Sequence, residues 1–305
     1  MIKRSYIAFL FCFFSNYATS QLSIEGIKSD SDAVKFVQYY GNKYKKGWKD
    51  VGVDLENVNS VKNLKADERK FTDSVTKRKW IKQDFNGDGK NDLIFCGRIY
   101  HSQMAVLAFM SFEDDSISCT ELGTILSTKF PSTISEKVVD GIEMLELGQF
   151  YKKNMISEFE SAYEKDLLIY KYGGFIEYNP NKIKKIEFDS IVYKISSPWG
   201  FGFSSPRLWL YKDGTFKVFR KNSQQKIDLN AVQEINDLLS YIHLKRSKSK
   251  YYLLNVSDLS TAYMEVYYRG RVKKIEDYGM SGTYGLVLLY TKFWMMMNGG
   301  KLENE

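Results

Sequence analysis

Histidine is nearly missing from this chain, with only His101 and His243 in 305 residues. Neither has a second imidazole or a cysteine at zinc-ligand spacing, so a zinc centre has no donors. His243 closes an amphipathic segment, where a cation suits the helix dipole, and His101 stands in a loop beside Ser102; both read as structural. Long apolar runs are also lacking. The longest, LVLLYTKFWMMM at 286–297, contains Lys292 and ends in Gly299-Gly300, short of the roughly 20 residues a membrane-spanning helix needs. No phosphate-binding loop or dinucleotide fingerprint occurs. YGMSGTYG at 278–285 fails as a nucleophile elbow, because Thr283 stands where that turn requires glycine. Asp114-Asp115 and the group Glu158, Glu160 and Glu164 lie in polar stretches that read as exposed, so glycoside hydrolysis lacks a carboxylate pair.

Cysteine is scarce too, at three residues. Cys12 falls in an N-terminal segment with the layout of a secretory signal: Lys3 and Arg4, a short apolar core from Tyr6 to Phe14, then Ala18-Thr19-Ser20 before Gln21. Residues 1–20 are therefore expected to be removed, leaving an exported protein, periplasmic or extracellular, without a membrane span. Bulky Phe11 before Cys12 argues against a lipid anchor. Loss of Lys3 and Arg4 takes the basic residues from 44 to 42 against 37 acids, a net charge of +5. That balance is mild and interspersed, and no reader motif accompanies it, so nucleic acid is not expected as a partner. Export would permit Cys96 and Cys119 to pair, and a closed loop of 24 residues would contribute about 3 kcal/mol. Two independent buried thiols are the alternative.

The most informative segment present is DFNGDGKND, Asp84 to Asp92. Asp84, Asn86, Asp88 and Asp92 put oxygen side chains at alternate positions, Gly87 and Gly89 let the backbone turn tightly, and Lys90 offers its carbonyl. Hard oxygens so spaced are a calcium-binding pattern. An EF-hand would place glutamate twelfth in the loop, where this chain has Phe95, and the flanks KWIKQ and LIFCGRI read as strands rather than helices. A metal-free polar hairpin would explain the glycines but not the alternation of acids. The loop resembles those of FG-GAP and VCBS-type repeats, which implies Ca²⁺ held by Asp84, Asn86, Asp88, the Lys90 carbonyl and Asp92. A second copy is absent, so a propeller is not implied.

The remaining pattern predicts an α+β protein of two domains, each an antiparallel sheet with covering helices. Residues 21–181 would form the calcium-loop domain and 182–305 the second, with Asn179-Pro180-Asn181 at the boundary. In the first, a helix over 33–44 precedes strands at 79–83, 92–98, 104–111, 138–146, 166–172 and 174–178, with SISCTEL around Cys119 as a further strand. In the second, strands at 184–196 and 206–220 are followed by a helix bearing Val232, Ile235, Leu238, Leu239 and Ile242 on one face. A strand pair over 262–279 comes next, then a helix over 284–298.

The DGT hairpin at Asp213 to Thr215, VSDL at Val256 to Leu259, the strands ending in EDYG, and Gly282, Gly285 and Leu286 resemble a bacterial domain family of unknown function. That resemblance spans about 110 residues and implies a fold without an activity. Relatives often carry a cysteine pair in a Cys-Pro loop after the first strand. Here SPWGFGFSSPR keeps Pro198 and Pro206 without cysteine, so any role of that pair is lost. The same loop sets Trp199, Phe201 and Phe203 among small residues, a candidate surface for a protein or glycan partner. Strand packing is the plainer account of such aromatics. The functional expectation is an exported, non-catalytic, calcium-binding structural or binding module at the cell envelope. The alternative is an enzyme or enzyme inhibitor of unrecognised type, with its site between the domains.

Overall fold

The computed structural model describes residues 22–44, 79–99, 103–122, 129–152, 161–196, 206–219, 224–252 and 259–299. The fold is α+β and mostly sheet, in three separate sheet bodies. Helix α1 (Asp30–Tyr44) begins three residues before the sequence pattern suggests. Ser29 is the reason: its hydroxyl accepts the Asp32 amide at 3.2 Å, while the Asp32 carboxylate accepts the Ser29 hydroxyl at 2.8 Å and the Lys28 amide at 3.2 Å. This reciprocal cap holds the Asp32 carboxyl below its usual range, the Ser29 bond contributing most.

Strands β1 (Trp80–Gln83), β2 (Asp92–Ile99), β3 (Gln103–Ser111) and β4 (Ile117–Leu122) form an antiparallel meander. One face packs Leu93, Phe95, Leu107 and Phe109 against Phe36, Val37 and Tyr40 of α1. The other packs Ile94, Val106 and Ala108 against Ile134, Leu145, Leu147 and Leu168 of a second sheet. That sheet is built in order from β5 (Lys129–Val139), β6 (Ile142–Lys152), β7 (Ser161–Lys171) and β8 (Gly174–Glu177). A single strand over 138–146 does not form. Asp140 and Gly141 adopt φ of 53° and 76° and turn the chain between β5 and β6, as a DG pair does in a tight hairpin.

The third sheet has seven strands in the order β12, β11, β10, β9, β14, β15, β13. Their ranges are β9 (Ser190–Ser196), β10 (Arg207–Tyr211), β11 (Thr215–Val218), β12 (Gln225–Lys226), β13 (Lys250–Tyr252), β14 (Thr261–Tyr268) and β15 (Arg271–Tyr278). Only β13 runs parallel to its neighbour. Helices α2 (Leu229–Tyr241) and α3 (Tyr284–Asn298) cover one face, burying Val232, Ile235, Leu239, Leu289 and Phe293 over Ile191, Leu208, Met264 and Ile275. The segment expected as a strand from 184 pairs as one only from Ser190. Residues before it run along α2, where Asn236 Oδ1 accepts the Phe188 amide at 3.0 Å and Ser240 Oγ accepts the Ile186 amide at 2.8 Å. These two buried polar residues thus replace a strand partner.

The two cysteines do not meet. Cys96 on β2 stands opposite Val106 and Cys119 on β4 opposite Phe109, so the whole of β3 separates them. They also point to opposite faces, Cys96 to the sheet interface and Cys119 toward the α1 side. Strands two apart lie about 10 Å from each other, beyond the reach of roughly 7 Å between disulfide Cα atoms. The disulfide expectation is corrected accordingly, and the sulfurs are not bonded. Burial pushes the Cys96 thiol up to about 12. A maleimide should therefore label half-buried Cys119 in the native protein and Cys96 only on unfolding, as peptide mass spectrometry can follow. Equal labelling rates would contradict this arrangement.

Candidate functional site

The five predicted calcium donors lie in and just after the hairpin loop between β1 and β2, in which Gln83 pairs with Asp92. Gly87 and Gly89 take φ of 77° and 86°, values that suit glycine, and so fold the loop's amides back over its own side chains. Asp84 Oδ1 accepts the Gly87 and Asp88 amides at 2.7 and 3.2 Å, and its Oδ2 accepts Gly89 at 2.8 Å. Asn86 Oδ1 accepts the Asp88 amide at 3.1 Å and Asp88 Oδ1 the Lys90 amide at 2.8 Å. These successive Asx turns aim the oxygens of Asp84, Asn86 and Asp88 into one loop.

Asp92 is used differently. It is fully buried, its Oδ2 accepts the Phe85 and Asn86 amides at 2.8 and 3.3 Å, and its Oδ1 accepts the Ser111 amide at 2.9 Å. Burial pushes its carboxyl up to about 7 against the pull of those amides, and the charge on Asp88 adds to the rise. The side chain thereby pins the loop to the end of β3. Among the described residues no three Asp, Glu, His or Cys side chains group closely enough to hold a metal. Of the predicted donors, Asp84, Asn86 and Asp88 thus direct side-chain oxygens at the loop's own amides, and Asp92 is committed to the interior.

Two supporting side-chain contacts carry no motif. The Lys90 ammonium donates to the Phe112 and Glu113 carbonyls, both at 2.8 Å, and to Asp115 at 2.7 Å, clamping the loop to the turn after β3. Glu25, from a 3-10 turn at Ile24–Gly26, accepts from the Asn91 amide at 3.1 Å and from its side chain at 2.9 Å. Contacts this distant in sequence leave no periodic signal. Trp199, Phe201 and Phe203 lie outside the described residues.

In the C-terminal sheet the EDYG segment resolves into an anchored turn. Asp277, fully buried at the end of β15, accepts the Ser281 amide at 2.7 Å and the Gly282 amide at 3.0 Å, and the Ser281 hydroxyl at 3.3 Å. Burial raises its carboxyl above the ordinary range. The turn delivers the chain to α3, whose first amides, Tyr284 and Gly285, donate to Glu177 at the end of β8. A side chain at 285 would collide with Ile242, its Cβ only 2.4 Å from Cγ2, which is why glycine stands there. Residues 205–296 match the family model of a domain of unknown function, DUF6438. The DUF6438 match begins beyond β9, yet β9 lies between β10 and β14 in the sheet, so the folded unit includes residues before the match. No curated protein and no solved structure matches the chain.

Proposed function

We propose that this chain is an exported, non-catalytic protein in which the Asp84 to Asp92 loop binds Ca²⁺ and stiffens the β1–β2 hairpin. The DUF6438 part then serves as a binding or structural module at the cell envelope. The observation carrying the calcium reading is the run of Asx turns that orders Asp84, Asn86 and Asp88 within one short loop. Hard oxygens preset by backbone amides lower the ordering cost of binding a hard cation.

The competing reading, an enzyme or enzyme inhibitor with a site between the halves, gains nothing from Glu177, one of the ionisable groups there. Both oxygens of Glu177 accept the leading amides of α3.

Calcium at ten times its dissociation constant should add about 1.4 kcal/mol of stability, read as a rise of about 3–5 °C in melting temperature. Extracellular modules bind at about 10⁻⁴ to 10⁻³ M, so millimolar calcium is the working range. Asp88→Ala should abolish the rise. A variant that keeps it, or a wild type that shows none, removes calcium from the account. Protein recovered from its exporting host should begin at Gln21.

A further inference from the structure

The helices cover one face of the seven-stranded sheet, and the opposite face presents an unusual grid. Its register sets Trp209 beside Lys217 and Val192, Arg207 beside Lys194, and Lys194 beside Tyr263. Tyr211, Tyr263 and Tyr267 keep 37–38% of their surface exposed.

Arg207 and Lys194 face each other directly across β10 and β9, an arrangement of like charges that costs stability. Among the described residues, neither they nor Lys217 has a carboxylate at salt-bridge distance. The other cations of the face, Lys274 and Lys250, do, at 2.8 Å to Glu265 and 3.5 Å to Glu276. Two of the three lie against rings, Arg207 over Trp209 and Lys194 over Tyr263, each at 5.5 Å, and after the Lys274 hydrogen bond the charge of Arg207 also helps hold the Glu265 carboxyl low. Three cations outside any described salt bridge, interleaved with stacking rings, fit a ligand that brings flat apolar faces and negative charge together. Glu265 and Glu276 narrow the choice. A polymer with one phosphate per unit would meet these two carboxylates unfavourably, whereas the hydroxyls of a sugar chain can donate to them. Beside Tyr211 the face runs into an open hollow of about 360 Å³, lined by Lys212 and Lys217 and also by Asp189 and Asp213.

We infer that this open face binds a glycan chain with sparse negative charge, of the kind carried by uronic acid rings. The inference rests on the binding-module half of the proposed function and not on the calcium loop.

The test is calorimetric titration of the full mature chain with a hyaluronan octasaccharide, in which every second ring is a uronate. Cellohexaose serves as a neutral comparator and a 20-residue oligothymidylate as the nucleic-acid arm. Hyaluronan should bind, weakening as salt rises, with cellohexaose weaker and the oligonucleotide weaker still. Tyr263→Ala with Tyr267→Ala should reduce affinity by about tenfold or more while the thermal melt stays near wild type. Lys194→Gln with Arg207→Gln should reduce it comparably and flatten the salt dependence, and this pair stands in if the tyrosine variant melts early. Absence of hyaluronan binding at millimolar concentration, or undiminished affinity in both variants, overturns the inference. Tighter binding of the oligonucleotide also overturns it, while sparing the broader reading of a binding module. Calcium removal should leave all these titrations unchanged, which separates this face from the loop.

Discussion

Replacing Asp277 with alanine is expected to lower the melting temperature by about 10 °C. The carboxylate closes the turn between β15 and α3 by accepting two backbone amides and a hydroxyl within five residues. Removing it strands the Ser281 and Gly282 amides in a partly buried setting, at about 1–3 kcal/mol for each donor. It also frees a turn that holds Gly279 and Met280 at φ of 77° and 51°. Tyr193 and Tyr290, stacked at 5.6 Å with an interplanar angle of 16°, lie buried close to this carboxylate, so the loss reaches the core. Asp277→Asn keeps one acceptor oxygen and should lose about half as much. Ser281→Ala forfeits only the hydroxyl, which is shared between Asp277 at 3.3 Å and the Tyr278 carbonyl at 3.1 Å, and should cost about 1 kcal/mol. A thermal melt that ranks alanine, asparagine and the Ser281 variant otherwise would show that the turn is held by something else.

The second large effect is expected at Gly214, in the DGT hairpin between β10 and β11. Its φ is 82°, and a Cβ there would lie 2.5 Å from the Ile227 carbonyl oxygen, a backbone atom that cannot swing aside. The Ile227 amide in turn donates to the Gly214 carbonyl at 3.0 Å, fastening the start of α2 to this hairpin. Gly214→Ala therefore combines left-handed strain of about 1–2 kcal/mol with a clash that must break that contact, for a total of about 3 kcal/mol or more. Gly270→Ala is the control: φ is 70°, but its Cβ would meet nothing within 4 Å. Strain alone should cost it about 1 kcal/mol. Equal losses in urea unfolding of the two variants would refute the role of the Ile227 carbonyl.

The contrast between these glycines marks where sequence reading stops. DG and RG dipeptides announce a turn at both places, because a positive φ is a local property. Whether a neighbouring carbonyl crowds that turn depends on a segment thirteen residues away in one case and on nothing in the other.

Local regularity determined much of the architecture from sequence alone. The apolar spacing of Val232, Ile235, Leu238 and Leu239, and of Leu286, Leu289, Tyr290 and Phe293, marks the two helices whose buried faces the structure confirms. Alternating strands, Asn, Asp and Gly turns and the DFNGDGKND spacing are equally local, since periodicity and turn chemistry are set by residues within a few positions of one another. Tertiary structure decided the rest. The choice of Asp92 as an anchor to Ser111 depends on which strand end lies beside the loop. The separation of Cys96 from Cys119 depends on β3 running between them, which spacing along the chain does not encode. The cationic and aromatic grid depends on a register that sets Arg207 against Lys194, and Lys194 against Tyr263 from a strand nearly seventy residues away. Such pairings are fixed only when the apolar faces of the central strands are buried together, because a shift of one residue would turn every side chain to the wrong side.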